Sequence, residues 1–230
     1  MIVGSIKEDL ALEKRVSITP ETAKNIIGLG LKVCIEKNYA NHLGIDDNEY
    51  KKNGVEIKES STEVFNSSNL IIKVNCPSDK EINLLKEKTI LIGMFNPSKN
   101  KDQIDKIIKK KIKTFSLELL PRITRAQSMD VLSSQSNLAG YRAVIDCVAE
   151  FEKAVPMMMT AAGTVPAAKV LVIGAGVAGL QAIATAKRLG AIVSATDVRA
   201  ASKEQVESLG GKFLTVEQSE DMETAGGYAK

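Results

Sequence analysis

KVLVIGAGVAGLQAIATAKRLGAIVSATDVR, residues 169–199, is the stretch whose reading decides the fold. Lys169 to Ile173 is a short apolar run of strand composition that enters Gly174, Gly176 and Gly179 in the spacing GxGxxG. An apolar-faced helix follows, then a second strand, AIVSAT, that ends in Asp197. Each position has a mechanical reason. Gly174 permits a tight turn, Gly176 lets the backbone approach a pyrophosphate, and Gly179 lets helix and strand pack closely. The helix N-terminus offers free N–H groups to the anion. Asp197 stands 23 residues after Gly174, where a carboxylate can accept from both hydroxyls of an adenosine ribose. That carboxylate would repel a 2′-phosphate and so select NAD(H) over NADP(H). Arg199 pulls the other way, since an Arg could pair with that phosphate; the carboxylate outweighs it, leaving Arg199 as a surface residue near the adenine.

N-terminal to this unit, apolar β-rich runs alternate with helical segments up to about residue 120. MIVGSI, KVCIE at 32–36, NLIIKVN at 69–75, TILIGMF at 89–95 and KTFSLEL at 113–119 are the strands. Thr19 with Pro20, and a capping box of Ser78 with Glu81, start two of the helices between them. Such alternation builds a parallel sheet covered by helices. From 130 to 154 the pattern changes, with Val131, Leu138, Tyr141, Ile145, Val148 and Phe151 at mostly three- and four-residue steps. This predicts one helix on the order of 35 Å long, enough to connect two lobes. Pro156 and TAAGTVPAA at 160–168 mark its far boundary, and the Met157–Met159 triplet reads as apolar packing rather than a ligand set. After Asp197 come a helix through SKEQVESL and a short strand near KFLTV.

The expected class is therefore α/β, with two Rossmann-like parallel-sheet lobes joined by a long helix and the second lobe incomplete. Its segments are an N-terminal lobe over 1–129, a connecting helix over 130–155 and a partial dinucleotide-binding domain over 156–230. A doubly wound domain uses a second half beside its first strand. Without it, the edge and apolar flank of Lys169–Ile173 stay uncovered, and a chain extended past Lys230 should bind nucleotide more tightly.

A second chemical signal precedes the long helix. LPRITRAQSMDVLSSQSNLAGYR, residues 120–142, crowds Arg122, Arg125, Gln127, Asp130 and Ser133 into a dozen residues. A helix cap would explain Asp130 alone, so a ligand-facing loop is favoured.

Composition removes other classes. The chain has 230 residues, 44% hydrophobic and 26% charged, with 4% aromatic and no Trp, which disfavours a base-stacking nucleic-acid binder. The net charge of +3 implies no polyanionic partner. KDQIDKIIKKKIK, 101–113, concentrates six lysines over Ile104, Ile107 and Ile108, which reads as a solvated helix face in preference to a membrane or phosphate patch. Cys34, Cys76 and Cys147, odd in number and far apart, with His42 as the one histidine, disfavour disulfides and zinc and fit a reducing cytoplasm. No export signal and no membrane-spanning run is evident, so direct membrane insertion by this chain is not expected.

Taken together, PRITRAQSMDVLSSQSNLAGYRAV, MMMTAAGTVPAAKVLVIGAGVAGLQAIATAKRLGA, TDVRAASKEQVESLGGKF and the terminal ETAGGYAK resemble the NAD(H)-binding alpha subunit of proton-translocating NAD(P) transhydrogenase, a family related to alanine dehydrogenase. The resemblance implies that Arg122, Gln127, Asp130 and Ser133 surround the nicotinamide and its ribose and form the catalytic set. It assigns Gly174, Ala175, Gly176 and Val177 to the pyrophosphate and Asp197, Val198 and Arg199 to the adenosine. Gly227 and Tyr228 match a mobile loop that closes over bound nucleotide. It further implies a homodimer, an NADP-carrying beta subunit and membrane domain as partners, and a cytoplasmic place peripheral to the inner membrane. With one nucleotide fingerprint in the chain, NADP must sit on the partner.

Alanine dehydrogenase is the competing reading. It shares the start RVSITP, in which Arg15 matches a residue gripping a substrate carboxylate. That enzyme needs a Lys and a His that this chain lacks: KVNCP places Asn75 at the Lys position, and TILIGMFNPS has no His. Amino-acid oxidation then has no proton-transfer group, and Arg15 is expected in an ion pair or at the surface. Direct hydride transfer between two nicotinamides requires only position and electrostatics.

Overall fold

The computed structural model describes residues 1–215, which divide into two compact units, Met1–Asp130 and a second beginning at Val131. The first contains β1 (Ile2–Ser5), α1 (Pro20–Gly28), β2 (Lys32–Glu36), α2 (Asp47–Lys52), β3 (Glu56–Lys58), α3 (Ser61–Ser67), β4 (Leu70–Ile72), α4 (Asp79–Leu84), β5 (Ile90–Gly93), α5 (Lys101–Lys109) and β6 (Lys113–Ser116). The second contains α6 (Val131–Glu150), β7 (Met158–Thr160), β8 (Gly163–Val165), β9 (Lys169–Ile173), α7 (Val177–Arg188), β10 (Ile192–Thr196), α8 (Ser202–Ser208) and β11 (Lys212–Phe213).

In the first unit all six strands pair in parallel in the order β3-β2-β1-β4-β5-β6, with Val3 opposite both Val33 and Leu70. Because strand side chains alternate, Cys34 joins a core of Val64, Phe65, Ile71, Leu91 and Phe95 on one face, while Val33 and Ile35 join Val3, Ile18, Tyr39 and Tyr50 on the other. Side chains cap the helices that make this layering possible: Thr19 accepts from Thr22 N–H, and Ser78 and Glu81 form the reciprocal box before α4. β3 was not visible in the sequence, because its three residues, EIK, are mostly polar and carry no apolar run.

Strand order reverses between β1 and β4, and a buried charge cluster ties the two there. Lys73, just past β4, is 4% exposed; its Nζ lies 2.6 Å from Glu81 Oε1 and 3.5 Å from Glu8 Oε2. Val74 N–H donates to Glu8 Oε1 at 2.7 Å. Burial raises the Glu8 pKa above the ordinary carboxylate value, although the Lys73 charge opposes it.

The lysine run is tethered at several points. Ile107 is buried and Ile104 packs on the core, whereas Ile108 is exposed, a departure from the expected apolar set. Lys106 pairs with Asp79 at 2.6 Å, and Lys110 Nζ donates to the carbonyls of Ile82, Asn83 and Leu85 at 2.7–3.1 Å, satisfying the open C-terminus of α4.

In the second unit the parallel sheet is β11-β10-β9, with Ile192–Thr196 in register against Lys169–Ile173. α6 packs along α7, and Gly140 makes that approach possible: a Cβ there would lie 2.0 Å from the Ala178 carbonyl oxygen. Among the described residues β9 is an edge strand, and its Leu171 and Ile173 are 57% and 81% exposed beside a cavity of about 400 Å³ lined by apolar residues of α6 and β9. One expectation fails here. Met157–Met159 do not pack in a core; they stand exposed on the β7-β8 hairpin, an element not anticipated because GTV and MMT show no alternation.

Replacing Lys73 with Met should cost the first unit about 3–5 kcal/mol at neutral pH, because Glu8 is then left buried without its cation. Because the Glu8 pKa is raised, protonation relieves that penalty, so the loss should shrink as pH falls through the Glu8 titration, and adding Glu8→Gln should recover part of it. Urea unfolding of the three variants across pH 4–8 checks this; a loss that ignores pH would remove Glu8 from the explanation.

Candidate dinucleotide site

The loop between β9 and α7 has the shape that its glycines allow. Gly174 has φ +94°, a conformation L side chains rarely adopt, and its N–H donates to the Thr196 carbonyl at 2.8 Å, pinning the loop to the end of β10. Gly179 lies under that turn, and a Cβ on it would meet the Gly174 carbonyl oxygen at 1.8 Å. Gly176 is different: nothing stands within 4 Å of where its Cβ would be, so the main chain is open to close approach from outside. No side chain caps α7, whose first N–H groups beside Gly176 and Val177 therefore lack a protein acceptor among the described residues. An uncapped helix start beneath an open glycine suits an oxyanion, and the positive end of the helix dipole adds to the attraction.

Asp197 sits at the end of β10 with its side chain 6% exposed. Its Oδ2 accepts from Ala175 N–H at 2.6 Å, so carboxylate and glycine loop form one unit. The side-chain hydrogen bonds from Arg199, helped by the main-chain donors of Ala175 and Arg199, hold its pKa well below the usual carboxylate range against the effect of burial. Arg199, read from the sequence as a surface residue near the adenine, is instead largely buried against Asp197; its Nε lies 2.9 Å from Asp197 Oδ1, because two residues of turn bring the guanidinium back over the carboxylate. Val198 between them is exposed.

Arg122, Arg125 and Gln127 are exposed on a segment that includes a 3₁₀ turn over Thr124–Met129, anchored by buried Ala126, and the Asp130 N–H donates to the Gln127 carbonyl at 3.2 Å. These belong to the first unit, and Ser133 lies in the first turn of α6 in the second. Arg122, Asp130 and Ser133 each make a polar or electrostatic contact. Gly227 and Tyr228 lie outside the described residues.

A further concave site lies at the switch point of the first unit, about 310 Å³ in volume, lined by Glu8, Lys73, Asn75, Cys76, Ser78 and Glu81. Its chemistry is already committed. Lys73 is held by two carboxylates, and burial pushes the Cys76 thiol up to about 11, away from thiolate reactivity at neutral pH. Nearby, Arg15 makes a two-pronged pair with Glu13 at 2.6 and 2.8 Å, which meets the expectation of an ion-paired Arg15, and Asn75 donates to the same Glu13 at 3.5 Å. His42 is exposed and donates to the Lys14 carbonyl at 2.7 Å.

Residues 4–139 match the family described as alanine dehydrogenase/PNT, N-terminal domain, and residues 143–227 match its C-terminal domain. The chain is 52% identical over 237 residues to the first part of NAD(P) transhydrogenase subunit alpha of Rhodospirillum rubrum, covering 100% of this chain and 62% of that protein. It is 30% identical over 228 residues to the alanine dehydrogenase of Methanococcus maripaludis, covering 98% of this chain and 61% of that one. Among solved structures, the transhydrogenase from Sinorhizobium meliloti superposes with a TM-score of 0.89 at 51% identity, over 94% of this chain and 64% of that chain. The chain thus spans about three fifths of the length of these relatives.

Asp197→Asn should lower stability at neutral pH by about 3 kcal/mol, since the amide cannot accept all the donors that converge on the carboxylate. The folded-state pKa is depressed, so the charge-derived stabilisation is complete above the unfolded value of about 3.9 and is lost as pH falls below it. Urea unfolding should show the gap between wild type and variant closing below about pH 4; a gap constant with pH would show that the charge contributes nothing.

Proposed function

The chain belongs to the alanine dehydrogenase/PNT family, and on that premise we propose that it is the NAD(H)-binding part of the alpha subunit of a proton-translocating NAD(P) transhydrogenase. The observation that carries the reading is the β9–α7 junction: an open glycine and an uncapped helix start beside a buried carboxylate bonded to the loop itself. Main-chain N–H groups beside Gly176 and Val177 would hold the pyrophosphate, on a loop whose shape Gly174, Ala175 and Gly179 fix, and Asp197, Val198 and Arg199 would take the adenosine side. Arg122, Gln127, Asp130 and Ser133 are assigned to the nicotinamide and its ribose, and Arg125 to the cofactor-binding loop they share. Gly227 and Tyr228 are assigned to closure over the nucleotide.

NAD(H), when bound, supplies the hydride that passes directly to or from NADP(H) on a beta subunit. The residues of this chain then have two tasks. Arg122, Asp130 and Ser133 orient the nicotinamide end, and Gln127 aligns it toward the second nucleotide, with no side chain required to move a proton at the reacting carbon. On this reading the chain works as a homodimer on the cytoplasmic side of the inner membrane, docked on a membrane domain that carries the protons. None of its described helices is long and apolar enough to cross a membrane. The alanine dehydrogenase alternative is weakened by the pairing of Arg15 with Glu13 and by Asn75, which offers no titratable group.

Mixing the chain with NADH and an NADP analogue should give hydride exchange only once the beta subunit is added; alanine-dependent reduction of NAD by the chain would overturn the reading in favour of the alternative. Within the reconstituted complex, Gln127→Asn should leave NADH affinity intact and slow transfer by about 100-fold, the effect of roughly 1 Å of misplacement. A parallel fall in affinity would reassign Gln127 to simple binding. Asp197→Ala should weaken NADH binding roughly 10- to 150-fold, the loss of one charged hydrogen bond, and unchanged affinity by calorimetry would remove Asp197 from the site.

A further inference from the structure

Both oxygens of Asp197 are filled from within the protein. Oδ1 accepts from the Arg199 main-chain N–H at 2.9 Å and from Arg199 Nε at 2.9 Å. Oδ2 accepts from the Ala175 N–H at 2.6 Å and from Arg199 Nη2 at 3.1 Å. A carboxylate has about four lone-pair sites, so a ribose placed here finds every acceptor position taken. Two of the four donors are main chain and fixed, one in the glycine loop and one in the turn after β10. The other two belong to one side chain on a flexible stem, 17% exposed. They can leave.

We infer that the Arg199 guanidinium is a built-in occupant of the ribose position, displaced from Asp197 when the 2′,3′-diol of a nucleotide binds, and that Arg199 thereby sets the selectivity between NAD(H) and NADP(H). The inference rests on reading residues 174–199 as the NAD(H) site. Its chemistry is an exchange of like for like: the parallel N–H groups of a guanidinium and the two O–H groups of a vicinal diol both present a pair of donors to one carboxylate. The charges are not alike. With Arg199 present, Asp197 and Arg199 form a neutral pair, so an incoming 2′-phosphate meets a cation as well as an anion. Asp197 alone, read from the sequence, overstates the rejection of NADP(H). Removing Arg199 leaves the carboxylate uncompensated against a 2′-phosphate.

The test labels the full 230-residue chain with ¹⁵N-arginine and follows the Arg199 Nε–H resonance, assigned by its absence in Arg199→Met, or in Arg199→Lys should the Met variant not fold. In the nucleotide-free chain this proton should exchange slowly. Saturation with NADH or ADP should abolish the protection, while saturation with 2′,3′-dideoxyadenosine diphosphate should leave it. By calorimetry, the ratio of NADH to NADPH affinity should rise about tenfold or more in Arg199→Met, the sign expected when a screening charge is removed, and less in Arg199→Lys. A signal still protected in the NADH-saturated chain, or a ratio that falls in Arg199→Met, would overturn the displacement while leaving the NADH site standing. Failure of wild type and variants alike to bind NADH would sink the site assignment, and the displacement with it.

Discussion

The hydrogen bond from the Ala175 N–H to Asp197 joins the glycine loop and the end of β10 into one object. Without it, the glycine loop would rely on the Gly174 N–H bond to the Thr196 carbonyl for its link to the end of β10. With it, the loop is tied to the side chain of Asp197 as well as to the main chain of β10. The pKa of Asp197 is depressed chiefly by the Arg199 side-chain hydrogen bonds, with the Ala175 and Arg199 main-chain donors adding to them.

A different solution to the same problem appears in the first unit. There the strand order reverses between β1 and β4, and the polar groups at that reversal are satisfied by Lys73, Glu8 and Glu81. In the proposed nucleotide site the helix start and the Gly176 face are left open to an anion; at this reversal the positive charge is consumed by two carboxylates. The proposed nucleotide loop thus offers donors, whereas the crevice at the β1–β4 reversal has its donors already used. The Arg15–Glu13 pair extends that closure, holding the guanidinium beside Asn75.

Packing in the second unit is set by small residues. Gly140 against Ala178, with Ala182 and Ala186 in the core, brings α6 and α7 into close contact. In an exposed helix a Gly is worth about 1 kcal/mol less than Ala. Here the order is reversed, because any side chain at 140 strikes a main-chain carbonyl.

The sequence by itself determined the α/β class, most strands, the Thr19 and Ser78 helix caps but not those of Asp46 and Ser60, and the glycine turn between β9 and α7, because these depend on local periodicity and on residues with unique backbone properties. KVCIE at 32–36 forms a strand over the same residues, and Ser78 with Glu81 caps α4 as expected. Short elements without an apolar pattern, β3 and the Met158–Val165 hairpin, escaped it, and the exposure of Met157–Met159 could not be read from their hydrophobicity. Only the tertiary structure decided the partnerships of the charges. That Lys73 is buried between Glu8 and Glu81, that Arg15 is spent on Glu13, and that Arg199 fills Asp197 depend on which side chains the fold brings within about 3 Å, the range in which charge-assisted hydrogen bonds act. Spacing along the chain reveals the residues that could meet; the three-dimensional fold selects the pairs that do, because burial makes an unpaired charge too costly to leave.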